Sequence, residues 1–170
     1  NLLKKPRQES AQRYIREIRE RLKGAYDWEV PIIAGHEGGP DETRLVLLAA
    51  TVRYYRLVWE FLVEVIRYKI TGGDFKLLGF EFESFWERKA ENAPAMRELT
   101  ETSKKKLAQV VYRMMREAGY LPAGRDGTIV APTVPYGLTT RYAARQDSDT
   151  LLAFLIPDQQ IRRLISEDGS

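Results

Sequence analysis

The side chains best suited to contact a ligand lie on one face of a helix that the sequence predicts over residues 103–118. Lysine and arginine bind phosphates, and glutamine and arginine read base edges. A solvated helix face usually mixes both signs of charge, whereas the centre of this face carries no acid. The pattern is therefore typical of a helix that enters a DNA groove. At about 100° per residue, the row opposite the apolar stripe comprises Lys105, Gln109, Tyr112, Arg113 and Arg116.

Residues that could support catalysis are sparse. His36 is the only histidine and lies in a glycine-rich loop, and the chain has no cysteine. No second histidine or thiolate is present to complete a zinc site, and no glycine-rich phosphate loop occurs. Glu83 and Glu87 share a helix face, but carboxylates on so charged a helix indicate a solvated surface. We expect no enzymatic activity, no metal and no cofactor.

Positive charge is concentrated in two blocks, although the net charge is only +3. Residues 1–23 hold eight Lys or Arg against three acids, and residues 104–145 hold eight against two. Two such blocks can build a local electropositive surface that the net charge hides. We predict that this surface binds double-stranded DNA. Its predicted contact residues are Lys4, Lys5, Arg7, Arg13, Arg16, Lys104, Lys105, Lys106, Gln109, Arg113, Arg116 and Arg125.

Apolar spacing and turn residues predict a mainly helical chain. Thr102 or Ser103 is the expected cap of the 103–118 helix, and Gly119 its stop. Two apolar arms flank a turn at Gly124 to Gly127, which predicts a β-hairpin with Arg125 at its tip. The predicted helices span 9–23, 42–70 with an interruption at 53–56, 80–91, 103–118, 136–145 and 157–166, and residues 24–41 form a loop.

The order helix, turn, helix, turn, helix and hairpin over residues 57–130 is that of a winged helix-turn-helix. The predicted fold class is therefore mainly α: a multi-helix domain with a winged helix-turn-helix-like unit and one small β-hairpin. We divide the chain into a basic helix and linker (1–41), a helical core (42–135) and a C-terminal helical tail that packs on the core (136–170).

Composition fits a globular protein, at 170 residues with 44% hydrophobic and 30% charged side chains. The most apolar run, Leu45–Val52, soon meets Arg53 and Arg56. It is shorter than the roughly 20 apolar residues that span a bilayer. We therefore expect a cytoplasmic protein with no membrane partner. The sequence does not indicate an oligomeric state.

Several stretches of the sequence carry a resemblance to a known family. These are Arg53-Tyr54-Tyr55-Arg56, Phe61-Leu62, Glu64-Val65, Gly73-Asp74, Phe85-Trp86-Glu87-Arg88-Lys89-Ala90 and the run from Val111 to Leu121. They resemble the BrxA family of bacterial BREX phage-defence systems, most densely over residues 53–121. The resemblance implies a non-enzymatic accessory protein, helical and likened in fold to the NusB antitermination factor, that binds DNA and works with other BREX proteins. Family members usually carry residues before the point matching Asn1, so we expect that an upstream segment is missing.

Two other functions fit the same residues. The first is a protein–protein adaptor within a defence complex that uses exposed aromatic side chains as anchors. The second is RNA binding, by analogy to the NusB-like fold alone. The aromatic residues considered for the adaptor are Tyr54, Tyr55, Trp59, Phe75, Phe80, Phe82 and Trp86, and we expect most of them to be core.

Overall fold

The structure of the chain is a computed structural model. It describes residues 22–123 and 127–167, together with Arg16, Arg19 and Glu20. The chain divides into two compact units, Asn1–Arg56 and Leu57–Ser170. The boundaries predicted after residues 41 and 135 remain predictions of the sequence.

The described part of the first unit is helical. A 3-10 turn (Asp27–Glu29) leads into α1 (Val30–Ile33), so the predicted loop over 24–41 contains two short helical segments. Helix α2 (Pro40–Tyr54) begins with proline, whose fixed φ suits the first turn, and with acids that favour the positive end of the helix dipole. It ends at Tyr55, where the backbone becomes extended with φ −105° and ψ 90°. The predicted interruption at 53–56 is therefore confirmed.

A buried ion pair joins the 3-10 turn before α1 to the last turn of α2. The guanidinium of Arg53 donates to the carboxylate of Glu29, whose side chain is fully buried. Arg53 also donates from Nε to the carbonyl oxygen of Gly24 at 2.6 Å, and it stacks over the ring of Tyr26 at 4.0 Å from its centroid. These contacts fix the segment preceding α1 against the last turn of α2.

The second unit begins with one continuous helical stretch made of three parts. Helix α3 (Arg56–Phe61) continues as a π-helical segment (Leu62–Arg67) and then as α4 (Tyr68–Thr71). Helices α5 (Glu81–Glu91), α6 (Pro94–Arg97) and α7 (Glu101–Glu117) follow. The C-terminal part holds α8 (Tyr136–Ala144), α9 (Ser148–Ala153) and α10 (Asp158–Glu167). The helices predicted over 80–91, 136–145 and 157–166 are confirmed, whereas α6 and α9 were not predicted.

An aromatic cluster forms the core between α3, α5 and α7. The fully buried ring of Phe61 lies 5.6 Å from Phe82, 5.4 Å from Phe85 and 5.9 Å from Tyr112, measured between ring centroids. Tilted and edge-on rings at these separations attract each other beyond the gain from burial alone. The cluster includes Tyr112, so the prediction that this residue faces outward is wrong.

Two extended segments pair beside α7. The backbone N–H of Leu77 donates to Gly127 O, and that of Ile129 donates to Phe75 O, each at 2.8 Å, so Lys76 and Thr128 form an antiparallel bridge. The described residues contain no longer strand, and the predicted hairpin is not confirmed. Its two arms share one hydrogen bond, from Val130 N–H to Tyr120 O at 2.9 Å. The predicted tip, Arg125, lies outside the described residues.

No helix within the described ranges is long and apolar enough to cross a membrane. The apolar run Leu45–Val52 instead forms a segment of α2 that is buried on nearly all sides.

Candidate nucleic-acid interface

Helix α7 starts and stops where side-chain chemistry fixes its ends. Thr100 caps it, because its hydroxyl accepts a hydrogen bond from the N–H of Ser103 at 3.2 Å. The expected caps Thr102 and Ser103 are therefore wrong, and both residues lie inside the first turn. Gly119, with φ +87°, ends the helix in the left-handed region, as predicted.

Packing decides which face of α7 meets solvent. Val111, Met114 and Met115 are buried, and Tyr112 fixes the rotation by its contacts with Phe61 and with Phe82, the latter at 6.2 Å between ring centroids. Burial also raises the pKa of the Tyr112 hydroxyl, which therefore stays neutral. The opposite face is exposed and comprises Lys105, Lys106, Gln109, Arg113 and Arg116.

The cations of this exposed face differ in their partners. Lys105, Lys106 and Arg116 have no ion-pair partner among the residues that the structure describes. Arg113 lies 3.7 Å from the carboxylate of Glu117, a pair in which both side chains are about half exposed. Such surface pairs contribute little and exchange readily with water or a ligand phosphate.

Lys104 stands apart from its two neighbours. Its ammonium lies 3.2 Å from Glu83 and 3.9 Å from Glu101, and its side chain is only 13% exposed. It fastens the first turn of α7 to α5, so the structure brings Lys105 and Lys106, but not Lys104, to the outward face.

Arg116 lies at the other end of the row, beside the connection that follows α7. It lines a small cleft with Tyr112, Leu121 and Pro122, and the cleft extends to Gly127. Gly127 has φ +69°, and a Cβ added there would overlap the carbonyl oxygen of Leu77. A glycine at this position therefore allows the two extended segments to approach each other beside Arg116.

The described residues leave part of the predicted site untested. Arg16 is described and exposed, and it belongs to the first unit. The other predicted contacts, Lys4, Lys5, Arg7, Arg13 and Arg125, lie outside the described residues. The convergence of the two basic blocks on one surface remains a prediction.

One cation near α7 was not singled out from the sequence. Lys76 is exposed in the extended segment that pairs with Thr128. The sequence did contain a signal, because Phe75 to Leu78 is a short apolar run that contains one lysine and lies between two predicted helices. The run is too short to reveal which segment it pairs with.

Comparison with known proteins agrees with the resemblance noted above. The family model described as BrxA matches residues 1–144. A curated relative, the BREX protein BrxA of Bacillus cereus (strain H3081.97), is 32% identical over 101 residues, which cover 59% of this chain. The match spans about half (50%) of that relative's length. No solved structure matches the chain. Because the family model covers most of the sequence, the chain belongs to the BrxA family.

Proposed function

We propose that this protein is a non-enzymatic component of a BREX phage-defence system that binds duplex DNA through the exposed face of α7. The observation that carries the proposal is the composition of that face. Lys105, Lys106 and Arg116 project from it without an ion-pair partner among the described residues, and Gln109 lies between them. Exposed cations on one side of a helix can contact the phosphates of a duplex, and an amide between them can reach base edges.

The arrangement around α7 supports a winged helix-turn-helix interpretation. The order along the chain is helix α3 with its continuation, an extended segment at Lys76, helix α5, helix α7 and a second extended segment at Thr128. The four-residue helix α6 lies in the connection between α5 and α7. In winged domains the extended segment before the second helix pairs with the return arm of the wing, as Lys76 pairs with Thr128. In this interpretation α7 is the recognition helix, and the extended segment at Thr128 is the return arm of the wing.

The charges of α7 favour phosphate contacts over base reading. Lys105, Lys106 and Arg116 face outward with no ion pair to any described residue, while Gln109 and Arg113, which pairs with Glu117 at 3.7 Å, are the side chains suited to base edges. We therefore expect affinity to depend strongly on salt and weakly on sequence.

The test is a duplex-retention titration with matched charge reversals. Lys105→Glu combined with Arg116→Glu should abolish retention at moderate salt, because two phosphate contacts become repulsions. The control is Arg162→Glu combined with Arg163→Glu, which makes the same charge change at exposed positions of α10. Circular dichroism checks that both variants fold.

Three outcomes separate the functions. Loss of retention in the α7 variant alone supports the proposal. Equal loss in both variants assigns binding to overall charge, and unchanged retention in the α7 variant removes the recognition-helix interpretation. Competition with RNA of equal length then tests the RNA-binding alternative, which no described contact favours.

A further inference from the structure

A second candidate site lies on the second unit, in a cleft between the helical stretch ending in α4 and the start of α5. The cleft has a volume of about 760 Å³, within the usual range for ligand sites. Its walls include the rings of Tyr68 and Phe80, which are 76% and 59% exposed. Neither ring packs against another aromatic ring in the described part of the chain. Two large exposed rings flanking one cleft mark a recognition surface.

The charged side chains of this cleft differ in how far they are exposed to solvent. The ammonium of Lys69 is bound by Asp74 at 2.5 Å and by Glu81, and its side chain is only 11% exposed. Burial alone would lower the pKa of Lys69, but the hydrogen bonds to Asp74 and Glu81 outweigh it and raise that pKa. Lys69 is therefore a cation whose charge is already matched inside the protein.

The carboxylates, in contrast, reach the mouth of the cleft. Asp74 is 57% exposed and Glu64 is 37% exposed, whereas Lys89, the partner of Glu64, is 25% exposed. Arg88 is the exception, an exposed cation on the rim that donates to the carbonyl oxygen of Ser84 at 3.3 Å. The cleft is thus lined by two partly exposed carboxylates, Asp74 bound by Lys69 and Glu64 bound by Lys89, together with the exposed rings of Tyr68 and Phe80.

Aromatic faces together with carboxylates recognise cations. The negative face of a ring attracts an ammonium or a guanidinium, and a nearby carboxylate supplies hydrogen-bond acceptors. The three carboxylates of the lining, Glu64, Asp74 and Glu81, outnumber its two cations, Lys69 and Arg88, which favours a cationic ligand over a phosphate. We propose that this cleft binds an arginine or lysine side chain of a protein partner, seated against Tyr68 and Phe80 and paired with Glu64.

The test uses a minimal probe on the full chain. Acetyl-Gly-Arg-Gly-amide is titrated to millimolar concentration against the isotope-labelled protein, and amide shifts are followed by NMR. Acetyl-Gly-Glu-Gly-amide is the matched probe of opposite charge. The arginine probe should shift a cluster of amides within residues 64–88, and the glutamate probe should not.

Substitutions then locate the contact. Tyr68→Ser combined with Phe80→Ser should weaken binding of the arginine probe by about fivefold or more, because both ring faces are lost. Tyr136→Ser removes a tyrosine of similar exposure, 72%, and should leave binding unchanged. Glu64→Gln should also weaken binding while leaving the rings in place.

The outcomes that overturn the proposal are distinct from those for DNA binding. No clustered shift at millimolar arginine probe, or equal shifts with the glutamate probe, rejects a cation site. Shifts of the same amides by a single-stranded oligonucleotide assign the cleft to nucleic acid instead. Because Tyr68 and Phe80 do not lie on α7, the variant at these two residues should retain duplex DNA as the unsubstituted protein does.

Discussion

Arg53 and Glu29 form an ion pair in which the carboxylate is fully buried and the guanidinium is 13% exposed. The same carboxylate accepts the backbone N–H of Tyr26 at 2.7 Å. Removing water from two charges is costly, and the pair offsets that cost only while both partners remain. Removal of one partner alone should therefore destabilise the fold.

Arg53→Met should destabilise the protein by about 3–5 kcal/mol, because it leaves the Glu29 carboxylate buried without its counter-charge. Urea denaturation gives the change in unfolding free energy. Arg44→Met is the matched control, since Arg44 pairs with Asp41 at the exposed surface and should contribute less than about 1 kcal/mol. Adding Glu29→Gln to Arg53→Met should recover part of the loss. A similar small effect at both arginines would contradict the buried-pair account.

Gly127→Ala should destabilise the pairing between the two extended segments. The substitution places a side chain at φ +69° and overlaps the carbonyl oxygen of Leu77. Strain at a positive φ costs of the order of 1–3 kcal/mol, before the overlap is counted. Thermal and urea unfolding measure the loss.

Gly79→Ala provides the comparison for Gly127. A Cβ at Gly79 meets nothing within 4 Å, and its φ lies outside the positive range. This variant should be neutral or slightly stabilising, because alanine restricts the unfolded chain. Equal destabilisation at both glycines would show that the contact with Leu77 does not constrain this region.

Local pattern predicted the long helices and missed the short ones. The apolar stripe of α7 repeats over about three turns, which defines a helix and its buried face. Helices α6 (Pro94–Arg97) and α9 (Ser148–Ala153) span one or two turns, too few for a period to show. Helix α9 begins at a side-chain cap, since Asp147 accepts the N–H of Thr150 at 3.0 Å, whereas α6 begins with Pro94 and has no side-chain cap.

The features that local sequence patterns did not predict depend on contacts between residues far apart in the sequence. The outward placement of Lys105 follows from helical spacing alone, but the binding of Lys104 to Glu83 joins residues 21 positions apart. Helical spacing places Tyr112 beside the charged row, yet its ring packs against Phe61 and Phe82 in the core. Thr128 pairs with Lys76 across the three helices α5, α6 and α7, a partner that no local turn signal indicates.

Adjacent lysines on α7 should contribute unequally to DNA binding. Lys105→Gln should lower duplex affinity and reduce the slope of log affinity against log salt by about 1, the effect of one lost phosphate contact. Lys104→Gln should change the slope less, because its ammonium is already bound to Glu83. Fluorescence anisotropy at several salt concentrations measures both slopes. Equal slope changes for the two variants would contradict the assignment of Lys105, rather than Lys104, to the exposed face.

The buried hydroxyl of Tyr120 links stability to alkaline pH. It donates to the carbonyl oxygen of Ala153 at 2.7 Å, and burial raises its pKa well above the usual value. Tyr120→Phe leaves that carbonyl without its donor and should cost about 1–2 kcal/mol near pH 8. Urea denaturation measures this cost.

The cost of Tyr120→Phe should shrink as the pH rises above about 10, the ordinary pKa of tyrosine. The unfolded chain then loses the Tyr120 proton while the folded chain keeps it, so the unsubstituted protein loses stability. The loss is up to about 1.4 kcal/mol per pH unit, and the phenylalanine variant does not share it. Tyr136→Phe removes the hydroxyl of an exposed tyrosine and is the control for loss of a phenol. If the difference between Tyr120→Phe and the unsubstituted protein stays constant from pH 8 to pH 11, the hydroxyl of Tyr120 is not held neutral by burial.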